Sequence, residues 1–199
     1  MIVQQVEMMK EMVNAFSEYA RPPRMQRTRV QLNELIDELL DLYRAGNGGL
    51  TLLGELDPQL PPLEAADPVR LRQLLHNILK NSVEALEGHE HGELQVSTRL
   101  GSESGGDYAE LRVTDNGPGI DPSVRDRLFE PYMTTKPKGT GLGLAIVRKV
   151  VEDHGGMIEA QESGSGGTTI IIRLPLNGAP EPADEGRADP AVGRANRQP

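Results

Sequence analysis

The segment that most constrains the fold is residues 67–86, because its apolar and polar side chains separate onto opposite sides of a helix. The helix is predicted to start after Asp67, because aspartate is a favoured N-cap residue. At about 100° per residue, one broad apolar face holds Leu71, Leu75, Ile78, Leu79 and Leu86. Asn77, Asn81 and Glu84 form a narrow stripe roughly opposite. Such a helix covers one face of a sheet and turns its carboxamides and carboxylate away from the sheet.

The polar stripe has two interpretations. A carboxamide oxygen is a hard ligand that suits Mg²⁺ beside phosphates and waters, so Asn77 and Asn81 are candidate ligands. An ordinary amphipathic helix with a solvated polar face shows the same pattern. The helix alone does not separate these two interpretations.

A second candidate site lies at residues 115–120, where a predicted strand ends in Asp-Asn-Gly-Pro-Gly-Ile. Period-two alternation places Asp115 on the same side of the strand as Leu111, the side that faces the core. A carboxylate there is costly unless a donor reaches it, and an adenine amino group is such a donor. Gly117 and Gly119 let the backbone pass close to a flat base. Asp-Asn-Gly is also ordinary turn chemistry, so this motif has an alternative explanation.

A third candidate site is Gly139-Thr140-Gly141-Leu142-Gly143-Leu144, which opens a predicted helix. Glycines at a helix start expose backbone N–H groups to an anion, and the helix dipole adds to the attraction. The Gly-Lys-Ser/Thr of a P-loop is absent, and a flexible loop before a helix has a similar composition. Residues 130–140 indicate a mobile lid with Lys136 near the phosphates, although a plain surface loop is the alternative.

Composition excludes several classes of function. The net charge is −9, so we expect no nucleic-acid or anionic-membrane surface. The 199 residues include no cysteine, which excludes disulfides and thiolate metal sites and fits the cytoplasm. The apolar runs are too short for a signal core or a membrane span, so any inner-membrane anchor of a full-length protein would lie outside this chain.

The chain divides into four predicted parts. Residues 1–21 carry apolar side chains at alternating spacings of four and three, typical of a coiled coil or four-helix bundle. An ordinary amphipathic helix is the alternative. A linker follows at 22–29 and one domain at 30–176. Residues 177–199 are rich in Ala, Pro, Gly, Asp and Arg and predict a disordered tail.

Within these parts, further elements follow from periodicity. Helices are predicted at about 30–45 and 141–154, with a short helical piece near 122–129. Strands are predicted near 50–56, 93–100, 108–114, 156–162 and 168–174.

Together, the three motifs resemble those of the catalytic ATP-binding domain of two-component sensor histidine kinases, in the Bergerat-fold (GHKL) superfamily. The N, G1, F, G2 and G3 boxes match Asn77–Asn81, Asp115–Gly119, Phe129, Gly139–Gly143 and Gly167-Thr168. The resemblance covers residues 30–176. Residues 16–22 also resemble the end of the second dimerisation helix in nitrogen-regulation-type sensor kinases.

The resemblance implies a two-layer α/β sandwich, with a mixed, mostly antiparallel sheet, three helices on one face and a partial dimerisation helix before it. It implies Mg²⁺ at Asn81 with Asn77 beside it, and the adenine amino group at Asp115. The predicted ATP-binding residues are Asn77, Lys80, Asn81, Glu84, Asp115, Gly117, Gly119, Ile120, Phe129, Lys136, Gly139, Thr140, Gly141, Leu142, Gly143, Leu144 and Thr168. Asn77 and Glu84 are also candidate catalytic groups.

The implied reaction is transfer of the ATP γ-phosphoryl group to a histidine of the dimerisation domain, in a homodimer, for relay to a response regulator. The family's acceptor stretch, His-Glu/Asp-x-x-Asn/Thr-Pro, does not occur in this sequence. His76, His89, His91 and His154 are expected to be structural or solvated. We therefore expect the chain to begin inside the second dimerisation helix and to bind ATP without phosphorylating itself.

Two other functions stay open. A protein-serine kinase that acts on an anti-sigma-factor partner shares the superfamily, but the predicted dimerisation helix argues against it. A non-catalytic nucleotide-sensing or interaction module is the second alternative. The intact Asn81, Asp115 and glycine pairs argue against such a loss of activity.

Overall fold

The computed structural model describes residues 24–178 apart from 47–48, 137–138 and 165, together with Lys10, Val13, Phe16, Ser17 and Ala20. Within these residues the helices are α1 (Leu32–Gly46), α2 (Pro68–Ala85) and α3 (Gly143–Asp153). The strands are β1 (Thr28–Val30), β2 (Thr51–Leu56), β3 (Leu63–Ala66), β4 (Glu93–Glu103), β5 (Gly106–Asp115), β6 (Met157–Glu162) and β7 (Thr168–Pro175).

Five strands form the main sheet in the order β2-β4-β5-β7-β6. Strands β2 and β4 are parallel, and the other neighbouring pairs are antiparallel. Helix α1 packs against β2, α2 against β5, and α3 against β6 and β7. The predicted two-layer sandwich, with a mixed, mostly antiparallel sheet and three helices, is confirmed.

The core between the two layers is aliphatic. The predicted apolar face of α2 is buried, since Leu71, Leu75, Ile78, Leu79 and Leu86 are each at most 5% exposed. From the sheet side, β5 contributes alternate residues, Ala109, Leu111 and Val113. Because full burial of one such leucine contributes ~2 kcal/mol, the separation of faces along α2 is a main source of stability.

A second, two-stranded sheet pairs β1 with β3, and neither strand was predicted. Strand β1 begins inside the predicted linker 22–29, and β3 lies in a segment predicted to be a loop. The pairing of Val30 with Leu63 delays the start of α1 to Leu32, two residues after the predicted start. Strands of three and four residues are too short to show an alternation that sequence analysis can recognise.

Other boundaries also differ from the prediction. Strands β4 and β5 form one long hairpin that continues to Glu103 and Gly106. The predicted helical piece near 122–129 is a 3₁₀ turn at Arg125–Arg127. Helix α3 begins at Gly143, because Gly141 has a φ of 66°, outside the helical region.

The predicted N-terminal helix is described only in part. Lys10, Val13, Phe16, Ser17 and Ala20 are helical and exposed, and its other residues lie outside the described part. The predicted tail also lies outside it from residue 179 onwards. No helix in the described part is long and apolar enough to cross a membrane.

Asp67 and His154 join the start of α2 to the end of α3. As predicted, Asp67 is the N-cap residue, and its Oδ1 accepts hydrogen bonds from the N–H groups of Val69 and Arg70. The N–H of Asp67 donates to Nε2 of His154 over 3.0 Å, and Nδ1 of His154 donates to the carbonyl oxygen of Val150 over 2.7 Å. Burial lowers the pKa of His154, which keeps the ring neutral. His154 therefore has the structural role that we expected.

A buried carboxylate, Glu110, organises the sheet face opposite the helices. Its Oε1 accepts hydrogen bonds from Nε of Arg99 (2.8 Å) and Arg112 (2.6 Å), and its Oε2 accepts one from Nε of Arg173 (3.0 Å). Burial by itself raises the pKa of Glu110, but these three bonds outweigh burial and lower it to about 2. Glu110 thus links β4, β5 and β7 side by side.

Replacement of Glu110 is expected to destabilise the fold in a pH-dependent way. Glu110→Gln removes the negative charge from among three guanidinium groups and should lower the free energy of unfolding by ~3 kcal/mol at neutral pH. Because the folded-state pKa of Glu110 is lowered from 4.5 to about 2, the stabilisation is present above the unfolded value and is lost as pH falls towards the folded one. Urea titrations at pH 7 and pH 3 measure the difference between variant and wild type, which should shrink at pH 3.

The matched control is Glu159→Gln. Glu159 binds Arg173 from a half-exposed position, so its loss should cost less than ~1 kcal/mol at both pH values. A Glu110→Gln effect of equal size at pH 7 and pH 3 would contradict the assignment of the stabilisation to the carboxylate charge.

Candidate functional site

A cavity of about 700 Å³ lies between α2, the loop after β5 and the lid. The lid is residues 130–140, and residues 137–138 are not among those that the structure describes. The predicted site residues on its wall are Asn77, Lys80, Asn81, Glu84, Asp115, Gly119, Ile120, Lys136, Gly139, Thr140, Gly141, Gly143, Leu144 and Thr168. Residues from three separate motifs therefore meet around one space.

Helix α2 presents its two carboxamides to the start of α3. Nδ2 of Asn77 donates to the carbonyl oxygen of Gln73 over 3.0 Å. A Cβ atom added to Gly143 would lie 3.3 Å from Oδ1 of Asn77 and 3.6 Å from Nδ2 of Asn81. Gly143 therefore keeps open the space between the carboxamides and the first turn of α3.

Asp115 is 5% exposed and closes the other end of the cavity. Its Oδ1 accepts hydrogen bonds from the backbone N–H groups of Gly117 and Thr168, both over 3.1 Å. These bonds supply the donors that a carboxylate facing the core requires, and they tie the loop after β5 to the start of β7. Within the described residues, Oδ2 of Asp115 has no protein donor. One oxygen is therefore fixed by the fold, and the other can accept from a ligand.

The turn between β6 and β7 packs closely against this end of the cavity. Gly119 has a φ of 78°, and a Cβ there would lie 2.7 Å from the carbonyl oxygen of Gly166. A Cβ at Gly167 would lie 1.9 Å from the carbonyl oxygen of Asp115. Backbone packing against backbone fixes the geometry here, so side chains are excluded at both glycines.

The lid meets the start of α3 through one close backbone contact. The N–H of Tyr132 donates to the carbonyl oxygen of Gly141 over 2.9 Å. A Cβ at Gly141 would lie 2.5 Å from the backbone carbonyl carbon of Tyr132. Tyr132 itself has a φ of 65°, which costs a non-glycine residue ~1 kcal/mol. The backbone of the lid at Tyr132 is therefore held closely against the backbone at Gly141.

An ion pair joins the lid to α2 across the cavity. Nζ of Lys136 lies 2.6 Å from Oε2 of Glu84, and Nζ of Lys80 lies 3.9 Å from Oε1 of the same carboxylate. The two residues had been predicted separately to bind ATP. In the structure they bind each other.

Three predicted ATP-binding residues do not line the cavity. Leu142 is fully buried in the core, and Phe129 is partly buried against it. Gly117 lies behind Asp115, where a Cβ would meet Oδ1 at 3.1 Å. All three support wall residues. Membership in a motif does not separate a residue on the wall from one directly behind it.

Sequence reasoning also missed part of the wall, namely Ile78, Ser82, Ala85, Glu87, Asp121, Val124, Leu128, Met133, Thr134, Thr135 and Ile170. The motifs assigned no ligand contact to any of these residues.

The carboxamides can contribute to a metal site only together with another group. Within the described residues, the Asn81 side chain makes no protein hydrogen bond and lines the cavity. The same residues include no group of three His, Cys, Asp or Glu side chains that could hold a metal ion by themselves. Neutral oxygen ligands without a protein cage fit Mg²⁺ that shares its coordination with phosphates.

Comparison with known proteins identifies the family. The family model for "Histidine kinase-, DNA gyrase B-, and HSP90-like ATPase" matches residues 66–178. The chain belongs to this family. Its catalytic domain is of the histidine kinase type, which confirms the resemblance noted in the sequence.

Individual relatives agree with this assignment. The chain is 37% identical to nitrogen regulation protein NtrY of Azorhizobium caulinodans over 191 residues, which cover 92% of this chain and 24% of NtrY. It superposes on the catalytic domain of histidine kinase ThkA with a TM-score of 0.66 and 32% identity, over 77% of this chain and 97% of that one. It also superposes on the structure of ThkA in complex with response regulator protein TrrA, with a TM-score of 0.72 and 27% identity, over 88% of this chain and 49% of that one.

The relatives are longer proteins. The chain spans 24% of NtrY, and 28% of the signal transduction histidine-protein kinase AtoS of Escherichia coli. The family assignment therefore applies to the domain that is present in this chain.

The variant Gly143→Ala is expected to separate folding from nucleotide binding. Alanine is favoured over glycine in a helix by up to ~1 kcal/mol, so the unfolding temperature should stay within ~2 °C of wild type or rise. The added methyl group crowds Oδ1 of Asn77 at 3.3 Å, so affinity for ATP should fall by about tenfold. Calorimetric titration and thermal unfolding measure the two effects.

Gly105→Ala in the β4–β5 hairpin is the control, because nothing lies within 4 Å of a Cβ added there. It should leave the affinity unchanged. Wild-type affinity in Gly143→Ala would show that the ligand does not use the space beside the two carboxamides.

Proposed function

We propose that this chain binds ATP with Mg²⁺ in the cavity and acts as the catalytic domain of a sensor histidine kinase. The γ-phosphoryl group would pass to a histidine on a dimerisation segment, for relay to a response regulator. The observation that carries the proposal is the meeting of Asp115, the Asn77–Asn81 stripe and the glycine-started helix α3 around one cavity. The similarity to NtrY and to ThkA, which forms a complex with a response regulator, favours this function over a serine kinase.

The adenine base is proposed to bind at the Asp115 end. Two backbone N–H groups engage Oδ1 of Asp115, so Oδ2 is the atom that would accept from the adenine amino group. Ile120 and Thr168, on the same part of the wall, would contact the base. This end of the cavity is preorganised, because the groups that orient Asp115 are backbone groups.

The phosphates are proposed to bind at the start of α3. The backbone N–H groups near Gly141 and Gly143 and the helix dipole would face them, with Lys136 as a cation from the lid. Asn81, with Asn77 beside it, would bind Mg²⁺, which when bound neutralises charge on the phosphates. The chain's own contribution is to hold the γ-phosphorus in line with an incoming imidazole nitrogen. As the N–P bond forms, the bond to the bridging oxygen breaks and ADP leaves.

The rest of the protein is also part of the proposal. Residues 1–21 would belong to the second dimerisation helix of a homodimer, and a short linker would lead from this helix to the catalytic domain, which begins with β1 at Thr28. The acceptor histidine would lie on a partner segment. The domain would work in the cytoplasm, where ATP is available.

The variant Asp115→Asn tests the adenine assignment. Its amide oxygen can still accept from Gly117 and Thr168, which turns the amide nitrogen, a donor, towards the adenine amino group. Affinity for ATP should fall about 100-fold, the cost of replacing a charge-assisted hydrogen bond by two facing donors. Inosine triphosphate, with a carbonyl at the same position, should lose less or gain.

Asp121→Asn, at an exposed carboxylate on the cavity rim, is the control and should retain affinity within about threefold. Calorimetric titration with both nucleotides measures the preference. An Asp115→Asn variant that binds ATP like wild type would show that Asp115 does not recognise the base.

The chain by itself is expected to bind ATP without phosphorylating itself on histidine. None of its four histidines lines the cavity, and His154 is 3% exposed with both ring nitrogens hydrogen-bonded. In-line transfer requires a nitrogen at near-attack distance from the γ-phosphorus. Incubation with γ-labelled ATP and an acid-lability assay for phosphohistidine test this, and a separate first-helix segment with an acceptor histidine is the positive control. Stoichiometric acid-labile label on the chain alone would refute the prediction.

A further inference from the structure

The Glu84 carboxylate lies close to two lysine side chains at the end of the cavity proposed for the phosphates. Lys136 reaches it from the lid over 2.6 Å, and Lys80 approaches it from the preceding turn of α2 at 3.9 Å. Glu84 lies three residues after Asn81, so the two side chains occupy neighbouring positions on the same side of the helix. Its side chain is 33% exposed, so water screens it only in part.

This arrangement creates a conflict when a triphosphate enters. Phosphate oxygens attract Lys136, and each contact that Lys136 makes with them weakens its pairing with Glu84. A carboxylate then stands beside a polyanion in a partly enclosed site, and like charges at this range repel. A divalent cation that arrives with the phosphates removes the conflict, because it supplies positive charge where Lys136 has been drawn away.

The other polar residues of this region can favour the metal complex by ligation, but they do not repel a metal-free triphosphate in the same way. Asn77 and Asn81 are neutral, so they respond to the geometry of a cation but carry no charge that penalises its absence. Asp115 lies at the base end of the cavity and is committed to two backbone N–H groups. Among the described carboxylates of the wall, Glu84 is therefore the one paired with a lid cation and next to the carboxamide stripe.

We propose that Glu84 is a specificity-determining residue that makes this site select the metal-bound nucleotide over the metal-free one. The inference rests on the proposed binding of ATP with Mg²⁺ in this cavity. Glu84 disfavours the bare triphosphate and is neutral or favourable towards the complex of the triphosphate with a divalent cation. The discrimination takes place at the binding step, before any phosphoryl transfer.

The test compares dissociation constants for ATP in MgCl₂ and in EDTA, at constant ionic strength, by calorimetric titration of the full chain. In wild type, the ratio of the metal-free to the metal-bound constant should be large. Glu84→Gln should tighten metal-free binding about tenfold and change metal-bound binding by less than about threefold, so the ratio falls. The control is Glu87→Gln, which removes the same charge from the same wall but has no ion pair in the described part of the chain. Its ratio should stay within about twofold of wild type.

A second variant tests the opposite sign. Lys136→Gln leaves Glu84 with Lys80 as its cation, so metal-free binding should weaken more than metal-bound binding and the ratio should rise. Thermal unfolding verifies that each variant is folded, and Lys136→Gln carries the test if Glu84→Gln is not.

Four results would overturn the inference. If Glu84→Gln weakened only metal-bound binding, Glu84 would be a metal ligand and not a selectivity charge. Equal shifts in both buffers, or a ratio no different from that of Glu87→Gln, would mean that Glu84 merely anchors the lid. If wild type failed to bind ATP in either buffer, the proposed function itself would be wrong, and this inference with it.

Discussion

The alternation of side chains along β5 determines both faces of this molecule. Leu111, Val113 and Asp115 point towards the helices, whereas Glu110 points away from them. Because helices cover one face of the sheet, the inward set must be apolar until the strand reaches the edge of the core. Asp115 stands at that edge, so its carboxylate marks the point where the core ends and the cavity begins.

The outward face meets a different requirement. No helix within the described residues covers it, yet Glu110 is completely buried there. The arginines from β4, β5 and β7 cover it and supply its hydrogen bonds, and the aromatic ring of Tyr108 lies over Gly101, where a Cβ would come within 2.3 Å. A network of charged side chains thus stabilises one face of the sheet, as aliphatic packing stabilises the other. The stability that this network contributes is lost in acid.

The two ends of the cavity differ in what holds them. The Asp115 end, where we propose that the base binds, is fixed by backbone groups, because Asp115 is bound by two N–H groups and Gly119 packs on the carbonyl of Gly166. At the opposite end, which we propose for the phosphates, the lid is joined to α2 by the solvent-accessible ion pair of Lys136 with Glu84. In this proposal, recognition of the base is preorganised, while Glu84 and Lys136 at the other end can exchange one charge partner for another.

Local periodicity was sufficient to predict α2, its apolar face, the N-cap at Asp67 and the inward position of Asp115. These features depend on residues that are close together in the sequence. The short strands β1 and β3 could not be predicted, since each exists because the other lies beside it, more than thirty residues away. The off-wall positions of Leu142 and Phe129 were missed for a related reason, because motif membership does not say which side of a backbone faces a cavity.

The sequence by itself determined the family, the order of the motifs and the residue types around the nucleotide site, because those depend on short-range patterns and fixed spacings. Only the tertiary structure decided which groups are already engaged. It gave Oδ1 of Asp115 to two backbone donors, and it paired Lys136 with Glu84 across the cavity. Each outcome includes a contact between segments some fifty residues apart, Thr168 with Asp115 and Lys136 with Glu84. Local periodicity carries no information about such contacts, because they form only when the chain has folded.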